Sequence, residues 1–155
     1  MAKVRRAGGL LNYTTSITVE KTIAEIERIL AMHGASAIQK QYDGAGNPTA
    51  LAFKVKAPEG EVPFMLPMNA LAIHQVLQNQ VKAKKIRKGY ADMDQARRVG
   101  WRILLSWIEA QMAIIETEMV TIEQVFLPYI VTGTGKTIYE RFIEGPSKFM
   151  LPDIE

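Results

Sequence analysis

The sequence predicts an α+β domain in which a small antiparallel sheet packs against helices. Hydrophobic residues repeat with helical spacing over 19–32, 70–85 and 92–118, whereas they alternate over 51–66, and turn residues separate these segments. The chain has 155 residues, of which 48% are hydrophobic and 23% charged, as in an ordinary globular domain. It contains no cysteine, which excludes disulfide frameworks, thiolate metal sites and cysteine nucleophiles.

The first half of the chain predicts a βαβββ unit. The β-branched segment 13–17 suits a strand, and Thr18 suits the N-cap of a helix from Val19 to about Met32, which Gly34 ends. The last strand of the unit contains Pro63, which cannot donate a ladder hydrogen bond, so we place that strand at a sheet edge. The three strands that follow the helix are expected at 35–42, 51–56 and 62–66.

The second half of the chain predicts helices. Asn69 suits the N-cap of a helix from Ala70 to roughly Lys85. Asp92 and Gln95 form a capping-box pattern ahead of the long C-terminal helix that we expect to pack against the sheet and to reach about Glu118. Shorter helices are expected from Ile122, after the capping-box pair Thr121 and Gln124, and over 137–143.

Two tryptophans of the long helix are expected to differ in burial. Trp107 lies in the middle of an apolar stripe that also contains Val99, Ile103 and Ile114, so we expect it in the core. Trp101 lies six residues earlier, on another face of the helix. It is therefore the better candidate for a partly exposed or interface aromatic.

A single domain is expected over residues 1–155. Within it, an α+β lobe at 12–81 and a helical lobe at 92–145 form an alternative arrangement, with a basic seam at 82–91 where apolar periodicity fades. The amino terminus is basic but lacks the apolar core of a secretory signal, and no apolar run approaches 18 residues. We therefore expect a cytoplasmic protein without a membrane partner.

The segment Thr132 to Thr137, TGTGKT, resembles the core of the phosphate-binding loop of helicases and other P-loop ATPases. Ile130 stands where a full Walker A pattern has its first glycine. Only 18 residues follow Thr137, too few for the parallel strand that carries the magnesium-binding carboxylate of such an ATPase. We interpret the segment as a glycine-rich surface turn.

Other catalytic and metal patterns are weak. His33 falls at the end of the first helix, and His74 has no acid or second histidine at a spacing of three or four. Glu109 and Glu116 share a helix face, where solvated carboxylates are the common case. We therefore expect no metal, no cofactor and no enzymatic activity.

Charge is distributed unevenly along the chain. Eight basic and two acidic residues give 82–102 a net charge of +6, whereas 103–155 carries −5. Such a cluster neutralises phosphates, and an adjacent aromatic ring offers a stacking surface. A separate basic arm consists of Lys3, Arg5 and Arg6. The residues predicted to bind nucleic acid are Lys82, Lys84, Lys85, Arg87, Lys88, Tyr90, Arg97 and Arg98.

Four runs carry a resemblance to known sequences: NYTTSITVEKTIAEIERILAMHGA, FMLPMNALAIHQVL, WRILLSWIEAQMAIIE and VFLPYI. With these runs, the chain resembles small uncharacterised proteins that phages and integrated mobile elements encode. The resemblance covers roughly Asn12 to Glu144. The resemblance implies an accessory protein that acts in the host cytoplasm and works by binding. The leading hypothesis is an accessory nucleic-acid-binding protein, with single-stranded DNA preferred because the sequence contains no helix-turn-helix or other duplex-reading motif. The alternative is a protein-interaction module, either an oligomeric structural protein or an inhibitor of a host factor.

Overall fold

The structure, a computed structural model, describes residues 8–146. Within this range the chain forms five α-helices and three strands, which confirms the α+β class. Two short 3-10 turns lie at 88–90 and 127–129. The elements are α1 (Val19–Met32), β1 (Ala35–Tyr42), β2 (Pro48–Ala57), β3 (Gly60–Met65), α2 (Ala70–Lys82), α3 (Met93–Glu116), α4 (Ile122–Phe126) and α5 (Ile138–Glu144).

The predicted first strand is absent, so the βαβββ prediction is wrong and the observed unit is αβββ. Residues 10–15 form turns in which Tyr13 N–H donates to the Leu10 carbonyl, and Asn12 has a positive φ of 63°. The carbonyls of Tyr13 and Thr15 accept hydrogen bonds from the side chain of Gln95. The segment therefore satisfies its backbone through α3 and not through a neighbouring strand.

The sheet is an antiparallel meander with the order β1-β2-β3. Pro63 lies on the edge strand β3, as predicted, and its carbonyl accepts from the N–H of Val131 at 2.9 Å. Alternation along β2 and β3 places one set of side chains in the core and the other set on the open face of the sheet. The buried set consists of Leu51, Phe53, Val55 and Phe64.

The longest helix, α3, has 24 residues and lies in the middle of the chain, so its prediction as a C-terminal helix is wrong. Thr117 caps its end, and the capping box at Thr121 starts α4 after a short turn. α3 packs against both α1 and α2. It therefore contributes to two clusters, a large core with α1 and the sheet, and a smaller one with α2.

The two tryptophans of α3 reverse the sequence prediction. Trp101 is 0% exposed, whereas Trp107 is half-buried and packs edge-on against Phe126 and Tyr129. Because α3 has neighbours on several sides, the face that is buried changes along its length. A single apolar stripe could not represent this arrangement.

None of the five helices between residues 8 and 146 combines the length and the apolar character that crossing a bilayer requires.

Candidate nucleic-acid interface

The carboxyl end of α2 places a lysine in a strained backbone conformation. The N–H of Lys84 donates to the Val81 carbonyl at 3.0 Å, and the N–H of Lys85 donates to the Gln80 carbonyl at 2.9 Å. This pair of bonds defines a Schellman motif. Lys84 follows the cap with a φ of 56°, in the left-handed region that favours glycine. The chain therefore carries a cation where backbone energetics favour a residue without a side chain.

Two tyrosines from distant parts of the chain line a groove beside this turn. The ring centroids of Tyr13 and Tyr90 lie 5.5 Å apart, with the ring planes at 83°. The groove has a volume of about 540 Å³. We call it the tyrosine groove. Besides the two rings its lining includes the apolar Val81 and Ile86 and the cations Lys84, Lys85 and Arg87.

The buried side chain of Gln95 fixes the segment that carries Tyr13. Its Nε2 donates to the Tyr13 carbonyl at 2.7 Å and to the Thr15 carbonyl at 2.9 Å. On another side, a Cβ at Gly9 would lie 2.5 Å from the Tyr13 ring, so only glycine permits this close approach. The Tyr13 ring is therefore held in place by the fold itself.

The remaining cations of 82–88 lie on a second groove. Lys82 and Lys88 line a groove of about 570 Å³ together with His74 and Asp92. Val81 lines both grooves, which are therefore adjacent at the end of α2. The structure thus brings six of the eight predicted site residues to two adjacent grooves.

Arg97 and Arg98 are placed differently from the other predicted site residues. Arg97 pairs with Asp94 at 2.9 Å, and Nε of Arg98 donates to Oε1 of Gln95 at 2.9 Å. Both arginines are half-buried and line a polar pocket beside Asn47, outside the two grooves. Some of the guanidinium N–H groups of both arginines therefore already have hydrogen-bond acceptors within the fold.

The basic cluster, defined as the five cations of 82–88, is free of ion pairs among the described residues. In contrast, Lys40, Arg97 and Arg102 each pair with a carboxylate. The charge of the cluster is therefore available to an external anion. The cluster consists of Lys82, Lys84, Lys85, Arg87 and Lys88, all exposed.

The TGTGKT segment forms the surface turn that the sequence predicts. The N–H of Thr132 donates to the Lys136 carbonyl at 2.8 Å, and Thr137 caps α5. The ammonium of Lys136 pairs with the carboxylate of Glu144. Phosphate-binding loops follow a strand of a parallel sheet, whereas the sheet of the described residues is antiparallel.

The basic arm of Lys3, Arg5 and Arg6 lies outside the described residues. Gly8, the first residue that the structure describes, lies close to the backbone carbonyl of Lys85.

The histidines lie apart from each other. His74 lines the second groove. His33 joins the end of α1 to α3 through a contact of 2.8 Å from Nε2 to Glu116, and its Nδ1 lies 2.8 Å from the Ile29 carbonyl of α1. Hydrogen bonding to the backbone carbonyl and to Glu116 raises the pKa of His33 above its usual value of 6.5. No group of three acidic or histidine side chains between residues 8 and 146 is placed to hold a metal ion.

Tyr13 is the residue of the groove that sequence reasoning missed. Its β-branched neighbours are typical of a strand, and 77 positions separate it from Tyr90, so the sequence does not indicate that the two rings meet.

No protein-family model, curated protein or solved structure matches this chain. Roles for single residues therefore come from geometry and charge. The similarity to phage and mobile-element proteins stays a prediction from the sequence.

Proposed function

We propose that this protein is an accessory nucleic-acid-binding protein of a phage or mobile element, with single-stranded DNA as its ligand. One observation carries the proposal: three cations that make no ion pair within residues 8–146, Lys84, Lys85 and Arg87, line a groove together with two tyrosines, and Lys82 and Lys88 line the neighbouring groove. Cations neutralise phosphates, and aromatic rings stack on unpaired bases. The proposed activity is binding, with no chemistry on the strand.

The arrangement of the two grooves supports a single strand as the ligand. A strand that runs from one groove into the other meets cations in each, because the two grooves share Val81 and are adjacent. Each groove has a volume in the range of small-ligand sites, roughly 300 to 1,000 Å³. The cluster also lies at a helix end and on a turn, whereas duplex readers present a helix face or a β-ribbon to the major groove.

Fluorescence anisotropy with labelled single-stranded DNA tests the proposal. The fourfold variant Lys84→Ala, Lys85→Ala, Arg87→Ala, Lys88→Ala should bind all sequences more weakly and about equally so, because phosphate contacts do not read bases. The salt dependence of log K on single strands should also flatten, by about 0.7 for every phosphate that the variant no longer neutralises.

A second fourfold variant removes the same charge from other surfaces. It should retain most of the affinity, because these cations lie outside both grooves. Equal reductions in affinity in the two variants would show that net charge alone attracts DNA and would contradict the proposed site. The control substitutions are Lys21→Ala, Arg28→Ala, Lys54→Ala and Lys56→Ala, all at exposed positions.

A protein-interaction role is the second candidate, as an oligomeric structural protein or an inhibitor of a host factor. Large apolar side chains of the carboxyl-terminal segment support it, since Leu127 is 48% exposed and Tyr139 and Ile143 are each 55% exposed. An apolar interface does not weaken with rising salt, whereas phosphate binding does. Sedimentation at two salt concentrations therefore separates the two candidates.

A further inference from the structure

We propose that the tyrosine groove is a subsite for one unpaired nucleotide, with the base stacked on a tyrosine ring and the phosphate held by the cations beside it. This inference rests on the proposed function. It adds a base-binding position built on Tyr13, a residue whose strand-like sequence context predicts no ligand contact.

The ring geometry sets how a base can bind. Tyr13 and Tyr90 already touch, with centroids 5.5 Å apart and planes at 83°, so the edge of one ring meets the face of the other. A base cannot enter between the two rings. It can stack only on a ring face that is exposed to the groove.

The position of Tyr13 is set before any ligand binds. Gln95 is 5% exposed and donates to the backbone carbonyl of Tyr13, while the ring packs closely on Gly9. Tyr13 and Tyr90 are both half-buried, which leaves part of each ring accessible. A preorganised aromatic side chain loses little conformational entropy on binding. Most of the stacking energy therefore contributes to the affinity.

Cations and rings share the same groove. Lys84, Lys85 and Arg87 line it together with the tyrosines, and none of the three makes an ion pair within residues 8–146. One nucleotide can therefore present its base to a ring and its phosphate to a cation. Duplex bases are paired and stacked, so they cannot reach the rings.

Two strands of equal length and charge test the inference: a short oligothymidylate and an abasic strand that keeps the phosphates and lacks the bases. Wild-type protein should bind oligothymidylate about 5- to 150-fold more tightly, the range that one stacked base provides. Tyr13→Leu should abolish most of this preference without changing the salt slope, whereas Tyr13→Phe should retain it. Tyr139→Leu is the control, because this exposed tyrosine lies on α5 outside the groove.

The outcomes separate this inference from the proposed function. Equal binding of the two strands by wild-type protein overturns the stacking subsite and leaves phosphate binding intact. Binding of neither strand at low salt overturns the proposed function itself. The comparison of the two strands needs only wild-type protein, so it can overturn the inference even if Tyr13→Leu fails to fold, and Tyr13→Phe, which keeps the ring, tests the location.

Discussion

Replacing Lys84 by glycine should stabilise the fold and weaken DNA binding at the same time. Lys84 has a φ of 56° at the end of α2, a conformation that costs an L-residue about 1 to 2 kcal/mol. Glycine avoids this cost but loses about 0.5 to 1 kcal/mol more through its greater freedom in the unfolded chain. The difference lies between about 0 and 1.5 kcal/mol, so we expect the free energy of unfolding to rise by roughly 0.75 kcal/mol, which corresponds to an increase in Tm of about 1.5 to 3 °C.

Lys84→Ala separates the strain from the charge. Alanine removes the same cation but keeps the Cβ, so it should leave the backbone strain in place. Urea unfolding followed by tryptophan fluorescence measures the difference, since the buried Trp101 reports on the core. A glycine variant no more stable than the alanine variant would refute the strain argument. Both variants should bind single-stranded DNA equally weakly, and full binding by either would show that the Lys84 cation has no role in it.

Further predictions concern the core, pH and the glycine-rich turn. Trp101→Ala should lower the free energy of unfolding by about 3 to 5 kcal/mol, and the half-buried Trp107 should contribute less to the same denaturation measurement. Because the pKa of His33 is raised in the fold, its stabilisation is fully present below about pH 6.5 and is lost as pH rises through the raised pKa. Glu116→Gln should reduce but not abolish this pH dependence of unfolding, because the backbone hydrogen bond to Ile29 also raises the pKa of His33, and an unchanged profile would exclude the Glu116 contact as a contributor. Lys136→Ala should leave folding unchanged, and calorimetry with ATP and magnesium should detect no binding to either protein.

Local signals predicted where the first four helices begin, whereas β2, β3 and the end of α2 differ from their predicted bounds by up to three residues. The caps Thr18, Asn69, Asp92 and Thr121 each accept the backbone hydrogen bond expected of them, so α1 to α4 begin where the sequence indicates. Capping depends on a side chain and a backbone N–H only two or three residues apart. Such contacts are therefore visible in the sequence.

Errors arose where long-range contacts decide the structure. The segment 13–17 has strand-like residues, yet its carbonyls at Tyr13 and Thr15 accept hydrogen bonds from the side-chain amide of Gln95, which is 80 residues from Thr15. Trp101 lies off the stripe that spacing selects, yet it is fully buried because α3 has neighbours on several sides. Long-range contacts also limit what can be predicted of the site. Tyr90 is close to the basic cluster in the sequence, whereas Tyr13 reaches it only through the fold.

The salt dependence of single-stranded DNA binding by the wild-type protein tests the central claim most directly. If the basic cluster contacts several phosphates, log K should fall linearly with the logarithm of salt concentration, with a slope of about −0.7 per contact. Single strands should also bind more tightly than duplex of the same length, because only unpaired bases can stack on the tyrosine rings. An absence of binding to any nucleic acid at low salt, or an affinity independent of salt, would contradict the account.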